Sequence, residues 1–339
     1  MRPMAMDDRF EDLVAGLGGF YRTWFVYLGL ELGLLPRIRE AGYDGIEAAR
    51  LAADTGTDTA MVRRWAWGAS AHGLLEEVDG RLRVDDEVAA ILLDPTRPEY
   101  LGGQMVHAAT ASLDYGTLLD TWRTGVPQRS RPDRYRAAIE RLTVQDIAVF
   151  FQEALAALPN LVADLTDGAR IVDLHCGGGR WLIAMARRFP DARLTGIEFE
   201  ADSVERARAN VAEAGLEDRI SIEHGELTAL EPHGTFDLAY FQYAVHQLPD
   251  PVAALAAAWD AVGPRGRLVV MDWYLPSDPE ELRTRHGELI AGVQLDETFQ
   301  GTGLVSRGEA MGWFQSAGVP MPSLIDLPSG ATVIVAERA

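Results

Sequence analysis

The chain has 339 residues, 47% hydrophobic and 24% charged, with a formal net charge of −20. This composition excludes a disordered, collagen-like or membrane-embedded chain, and the length suits two domains. The acid excess argues against a nucleic-acid partner or an anionic membrane; no apolar run reaches the roughly 18–20 residues of a membrane span, and Met1–Glu11 lacks a signal-peptide core, so a soluble cytoplasmic protein is expected.

Residues 20–38, FYRTWFVYLGLELGLLPRI, have the apolar spacing of a helix buried on more than one face. Ile46–Thr55 reads as a short Ala-rich helix ending at Gly56, and Thr57 or Asp58 caps the next, which runs to about His72. Asp79-Gly80 in LLEEVDGRLRV separates two alternating runs and predicts a hairpin. Three helices followed by a hairpin is the order of a winged helix. Such a module can read DNA through its third helix, but Arg63 and Arg64 are the only bases there. Residues 1–105 hold 11 Arg against 18 acids, which favours dimerisation or docking on protein. Residues 95–165 are expected to be connecting helices, with an exposed loop around 126–134 and a break at Pro159.

From Ala169 short apolar strands alternate with amphipathic helices: ARIVDLH, a helix Trp181–Phe189, ARLTGIE, a helix Ser203–Ala214, RISIEH, FDLAYFQ, a helix Pro251–Val262, RLVVMDW and a helix Arg307–Ala317. LIDLP and ATVIVAE close the chain around Ser329-Gly330. This alternation predicts a doubly wound parallel sheet with one antiparallel strand from the final hairpin.

Within it, VDLHCGGGR (Val172–Arg180) leaves a buried strand and enters a helix. Gly177–Gly179 allow a tight turn and close ligand approach, and Asp173 lies at the strand end where such sheets bind ligands. Glu198 ends the second strand, 25 residues after Asp173, placed to accept ribose hydroxyls. Gly225-Glu226 after the third strand suits an adenine amino group.

Together these features resemble a class I S-adenosylmethionine-dependent methyltransferase. The resemblance covers Arg170–Tyr274, from Asp173 with the Gly177–Gly179 loop, through Glu198 and Glu226, to FDLAYFQYAVHQLPDP and VGPRGRLVVMDW. It implies an α/β Rossmann-like sheet of order 3-2-1-4-5-7-6, with S-adenosylmethionine as cofactor and S-adenosylhomocysteine as product. The implied cofactor-binding residues are Asp173, His175, Gly177, Gly179, Glu198, Phe199, Glu226, Leu227, Phe241 and Gln242. His175 departs from the family, which usually has Gly there; its side chain either bonds the cofactor's carboxylate or fills space. Cys176, the single cysteine, excludes an intrachain disulfide and a multi-Cys metal site and is read as structural. The N-terminal part resembles the dimerisation domain of small-molecule O-methyltransferases. The expected division is a winged-helix dimerisation domain at 1–105, a helical linker and substrate wall at 106–165, and the cofactor-binding domain at 166–339.

In that family a His after the fourth strand acts as general base on the acceptor hydroxyl, and an acid ending the fifth strand orients it; here these are His246 and Asp272. Other class I enzymes carry a His in this loop without using it, so both readings stand. No spacing suggests a metal site. Tyr21, Trp24, Phe25, His107, Phe151, Tyr243 and Trp273 are candidate substrate residues, suited to an aromatic or polyketide-like acceptor, and His286 is a further candidate. His72, His224 and His233 read as surface or packing residues. The function expected is methyl transfer to a small-molecule hydroxyl by a homodimer. The alternatives are C- or N-methylation, or a cofactor-binding protein that transfers no methyl.

Overall fold

The computed structural model describes residues 5–127, 132–228, 230, 235–320 and 322–338. His233 and part of the expected loop at 126–134 lie outside the described residues. The chain divides into two compact units, Met1–Gly116 with Ser130–Ala148, and Thr117–Arg129 with Val149–Ala339. Residues of the expected 106–165 segment fall in both.

The first unit opens with a helix, Met6–Glu31, that starts fourteen residues before the predicted one. A second helix, Leu34–Glu40, follows after a turn at Gly33. Strand β1 (Ile46–Glu47) precedes the helix Ala48–Thr55, and Asp58 caps the helix Thr59–Ala71 by accepting from the Met61 amide at 3.0 Å. Strands β2 (Glu76–Val78) and β3 (Arg81–Arg83) form the expected hairpin about Asp79-Gly80, and β1 pairs antiparallel with β3. The apolar faces of these elements meet in one core containing Val26, Leu35, Leu51, Val62, Trp65 and Leu82. The indole of Trp65 donates to the Phe25 carbonyl at 2.9 Å, which ties the first helix to the fourth.

The second unit is built on a seven-stranded sheet. Its strands are β4 (Arg170–Leu174), β5 (Arg193–Glu198), β6 (Ile220–His224), β7 (Phe236–Gln242), β8 (Val262–Asp272), β9 (Ser323–Asp326) and β10 (Thr332–Glu337). Their order is β6-β5-β4-β7-β8-β10-β9, parallel from β6 to β8, with β10 antiparallel to both its neighbours. This is the expected 3-2-1-4-5-7-6 order. Ile171–Leu174 and Leu268–Asp272 are buried throughout, as strands covered on both faces must be. Among the described residues no single helix is long and apolar enough to cross a membrane.

Candidate functional site

The C-terminal ends of β4, β5, β7 and β8 collect the chemistry, at the point where strand order reverses and such sheets bind ligands. After β4 the chain turns through His175, Gly177 and Gly179 with φ of 66°, 52° and 70°. Glycine adopts this left-handed region freely, whereas His175 pays for it. Gly179 leads directly into the helix Arg180–Arg188. The turn lies tight against β5: a Cβ added to Gly196 would meet Leu182 at 2.6 Å and the Cys176 sulfur at 2.7 Å. Burial pushes the Cys176 thiol up, consistent with a packing role.

Glu198 is fully buried at the end of β5. Its Oε1 accepts from the amides of Phe199 at 2.8 Å and Glu200 at 3.0 Å; its Oε2 accepts from the Gly177 amide at 3.0 Å and from Nδ1 of His175 at 2.7 Å. Burial opposes the charge, but the His175 bond and these amides hold the carboxyl below its ordinary range. Asp173, 3% exposed, has no such help. Burial, with the Glu198 charge second, pushes its carboxyl up to about 8. Both groups fit an adenosine-bearing, ammonium-bearing ligand: Glu198 as a hydroxyl acceptor beside glycine-loop amides, Asp173 as a buried carboxyl lacking a compensating cation. Phe199 is partly exposed and its ring lies 5.0 Å from His175. Glu226 is exposed. Leu227 and Phe241 are buried in the core formed with Leu255 and Val270, so their side chains pack. Gln242 is half-buried and accepts from the Tyr240 hydroxyl at 3.1 Å.

After β7, Tyr243 has φ 49°, a conformation uncommon for a bulky residue. Ala244 and Val245 sink into the core, and Asp250 caps the helix Pro251–Ala261 through the Ala253 amide at 2.9 Å. Between these anchors His246 sits on a 3-10 turn with its side chain 3% exposed. Nδ1 donates to Oδ2 of Asp272 at 2.8 Å, while Oδ1 of Asp272 accepts from the Trp273 amide at 2.8 Å. A carboxylate only accepts, so Nδ1 carries a proton and Nε2 is the atom left for chemistry. Nε2 is buried and makes no hydrogen bond.

The sequence reading missed Glu297. It comes from the helix Arg285–Gln300 and places Oε1 3.5 Å from Nε2 of His246. Gln247 holds this carboxylate at 3.1 and 3.2 Å, and Thr302 donates to it at 2.5 Å. Burial lowers the proton affinity of His246, but the charge and hydrogen bond of Asp272, with the Glu297 carboxylate facing Nε2, outweigh it and raise the imidazole to about 10. The expected His–Asp pair is thus one imidazole between two carboxylates.

The other candidates are dispersed. Tyr243 and Trp273 lie 6.2 Å apart at the strand ends, and Trp273 stacks on His286 at 5.8 Å. Phe151 touches Phe150, which packs on Trp181 and Tyr240. Tyr21, Trp24, Phe25 and His107 belong to the first unit. There Tyr21 is exposed, Trp24 packs on Tyr27, Phe25 on His72, and the buried His107 on Tyr135. His72 is half-buried and His224 is exposed, as expected of packing and surface residues.

Sheet order, glycine turn and the acid ending β5 together define the class I methyltransferase fold. Residues 171–266 match the family model described as a methyltransferase domain, so the chain carries such a domain. It is 31% identical over 163 residues to a 27-O-demethylrifamycin SV methyltransferase of Amycolatopsis mediterranei, covering 45% of this chain and 60% of that protein. It is 30% identical over 117 residues to a demethylmenaquinone methyltransferase of Lactiplantibacillus plantarum, covering 34% and 49%. The chain thus spans about half to two thirds of the curated relatives it matches. Solved structures match nearly end to end: the pyocyanin biosynthetic protein PhzM (TM-score 0.75, 18% identity, 98% of this chain and 99% of that one) and the mitomycin 7-O-methyltransferase MmcR (0.71, 20%, 98% of each). PigF, solved with S-adenosylhomocysteine, matches at TM-score 0.71 and 20% identity, covering 97% and 99%. These likenesses establish the fold over the whole chain.

Proposed function

We propose that this protein transfers a methyl group from S-adenosylmethionine to a hydroxyl of an aromatic or polyketide-like small molecule. The observation that carries the reading is His246, buried between Asp272 and Glu297 with Nε2 unbonded, on the same sheet edge as Asp173 and Glu198. S-Adenosylmethionine, when bound, supplies an electrophilic methyl on a sulfonium. Glu198 would hold the ribose hydroxyls, Asp173 the ammonium side of the amino-acid moiety, and the Gly177–Gly179 amides would lie against that moiety. Nε2 of His246 takes the acceptor's hydroxyl proton as the oxygen attacks. Asp272 fixes the tautomer and, with Glu297, stabilises the imidazolium that results. An imidazole raised to about 10 is neutral in only about one chain in a thousand at pH 7, so the base this step needs becomes available as pH rises and transfer is expected to quicken towards pH 10. A phenol, of ordinary pKa about 10, then gives up its proton at little cost.

The names of the rifamycin and mitomycin relatives support a secondary-metabolite acceptor. Tyr243, Trp273 and Phe151 are proposed to contact its ring. The first unit is proposed as a winged-helix dimerisation module of a cytoplasmic homodimer. Its first helix leaves Met6, Phe10, Leu13, Val14 and Leu17, at three- and four-residue spacing, exposed, an apolar stripe of the kind that marks an interaction surface. The direct test is methyl transfer from labelled S-adenosylmethionine to a panel of phenols and hydroxylated polyketides. Labelled product is expected from wild type and is reduced about 10²–10⁴-fold by His246→Ala. Transfer to carbon or nitrogen, with His246→Ala near wild type, would refute the O-methylating reading.

A further inference from the structure

We infer that His175 sets how tightly this chain holds the ribose of an adenosine-containing ligand, because its imidazole occupies the acceptor that the ribose hydroxyls would use. The inference rests on the assignment of Glu198 to the ribose. An ionised carboxylate offers about four acceptor positions. Glu198 already meets four donors: the Phe199 and Glu200 amides on Oε1, and the Gly177 amide with His175 Nδ1 on Oε2. Three of these are main-chain amides fixed by the turn and the strand end. Only the imidazole can leave by side-chain rotation, and its side chain is 21% exposed against 0% for Glu198.

A second contact points the same way. The His175 ring lies 5.0 Å from that of Phe199, tilted by 39°. One side chain therefore lies against both the buried acid and the aromatic ring that follows it. The backbone of this residue is held at φ 66°, where glycine would be unstrained and His is not. The charge-assisted bond to Glu198 offsets that strain only while the imidazole stays in place. A diol that binds Glu198 displaces the imidazole, and the lost bond is subtracted from its affinity. His175 is thus an intramolecular competitor for the ribose position.

The test titrates adenosine, 2′,3′-dideoxyadenosine and S-adenosylhomocysteine calorimetrically into the full chain and its His175→Gly variant, which the backbone at this position accommodates. The variant is expected to bind adenosine and S-adenosylhomocysteine about tenfold more tightly, equivalent to roughly 1.4 kcal/mol. Its affinity for 2′,3′-dideoxyadenosine should be unchanged. In the unmutated chain, the histidine NMR signal assigned to His175 should move on adding adenosine and stay in place with the dideoxy compound. An unchanged or weaker affinity of the variant for adenosine overturns the inference. So does an equal gain for the dideoxy compound, which would mean that the imidazole merely crowds the pocket. If S-adenosylhomocysteine binds neither protein, the Glu198 assignment beneath the inference fails as well.

Discussion

Replacing Glu297 with Gln removes one of the two negative charges beside His246 and nearly preserves the shape. At 3.5 Å, Coulomb's law with an effective dielectric near 20 gives about 5 kcal/mol between unit charges, equivalent to about 3.5 pH units. Relaxation around the new amide reduces this, and a shift of about 1–3 units is expected for an opposite charge removed at such range. The assay is NMR titration of the ring carbons of labelled histidine, with His246 assigned from the His246→Asn spectrum; it needs no acceptor. In wild type His246 should titrate near 10, and in Glu297→Gln about 1–3 units lower. A raised folded-state pKa means that the cluster's contribution to stability is complete below the unfolded value of about 6.5 and is lost as pH rises through about 10. Wild type should therefore lose more urea resistance between those pH values than the variant does. A wild-type midpoint near the ordinary histidine value, or one unmoved by Glu297→Gln, would refute this account of the base.

The remaining predictions concern the cofactor end, the chemistry, the packing and the dimer. Asp173, raised to about 8, is about 90% protonated at pH 7; a bound ammonium favours its ionised form, so S-adenosylhomocysteine binding should release close to one proton. Calorimetry in two buffers of different ionisation enthalpy measures that release, and Asp173→Asn should abolish it. His246→Ala should leave S-adenosylhomocysteine affinity within about twofold while removing most turnover, because the imidazole acts on the acceptor. Gly196→Ala forces a methyl into Leu182, Cys176 and Ile222 at 2.6–2.9 Å, and should cost about 1–3 kcal/mol in urea unfolding. Light scattering of the full chain should give a dimer mass, and Leu13→Glu combined with Leu17→Glu should give a monomer.

The second unit was legible because its signals are local. Fully buried strands read as continuous apolar runs, and turn residues separate them from amphipathic helices; the sheet order came with the family resemblance. His246 and Asp272 stood out because the family resemblance assigns a base to the loop after the fourth strand and its orienting acid to the end of the fifth. Glu297 did not: it is one acid in a helix that also carries Glu288 and Asp296, and only the fold brings it 51 residues back to the imidazole. The bond between His175 and Glu198 was equally hidden, since it depends on a left-handed φ at a residue that seldom adopts one. The start of the first helix was misplaced because Gly16, Gly18 and Gly19 lower local propensity, yet the helix extends through them to Met6. The aromatic residues chosen as pocket wall divide between two units, a separation that hydropathy alone does not reveal.

The most direct test of the central claim is a calorimetric titration of the purified chain with S-adenosylhomocysteine, repeated with Glu198→Ala. The account predicts one site per chain with micromolar affinity in wild type and its loss in the variant. No binding to wild type, or binding that Glu198→Ala leaves unchanged, would contradict it.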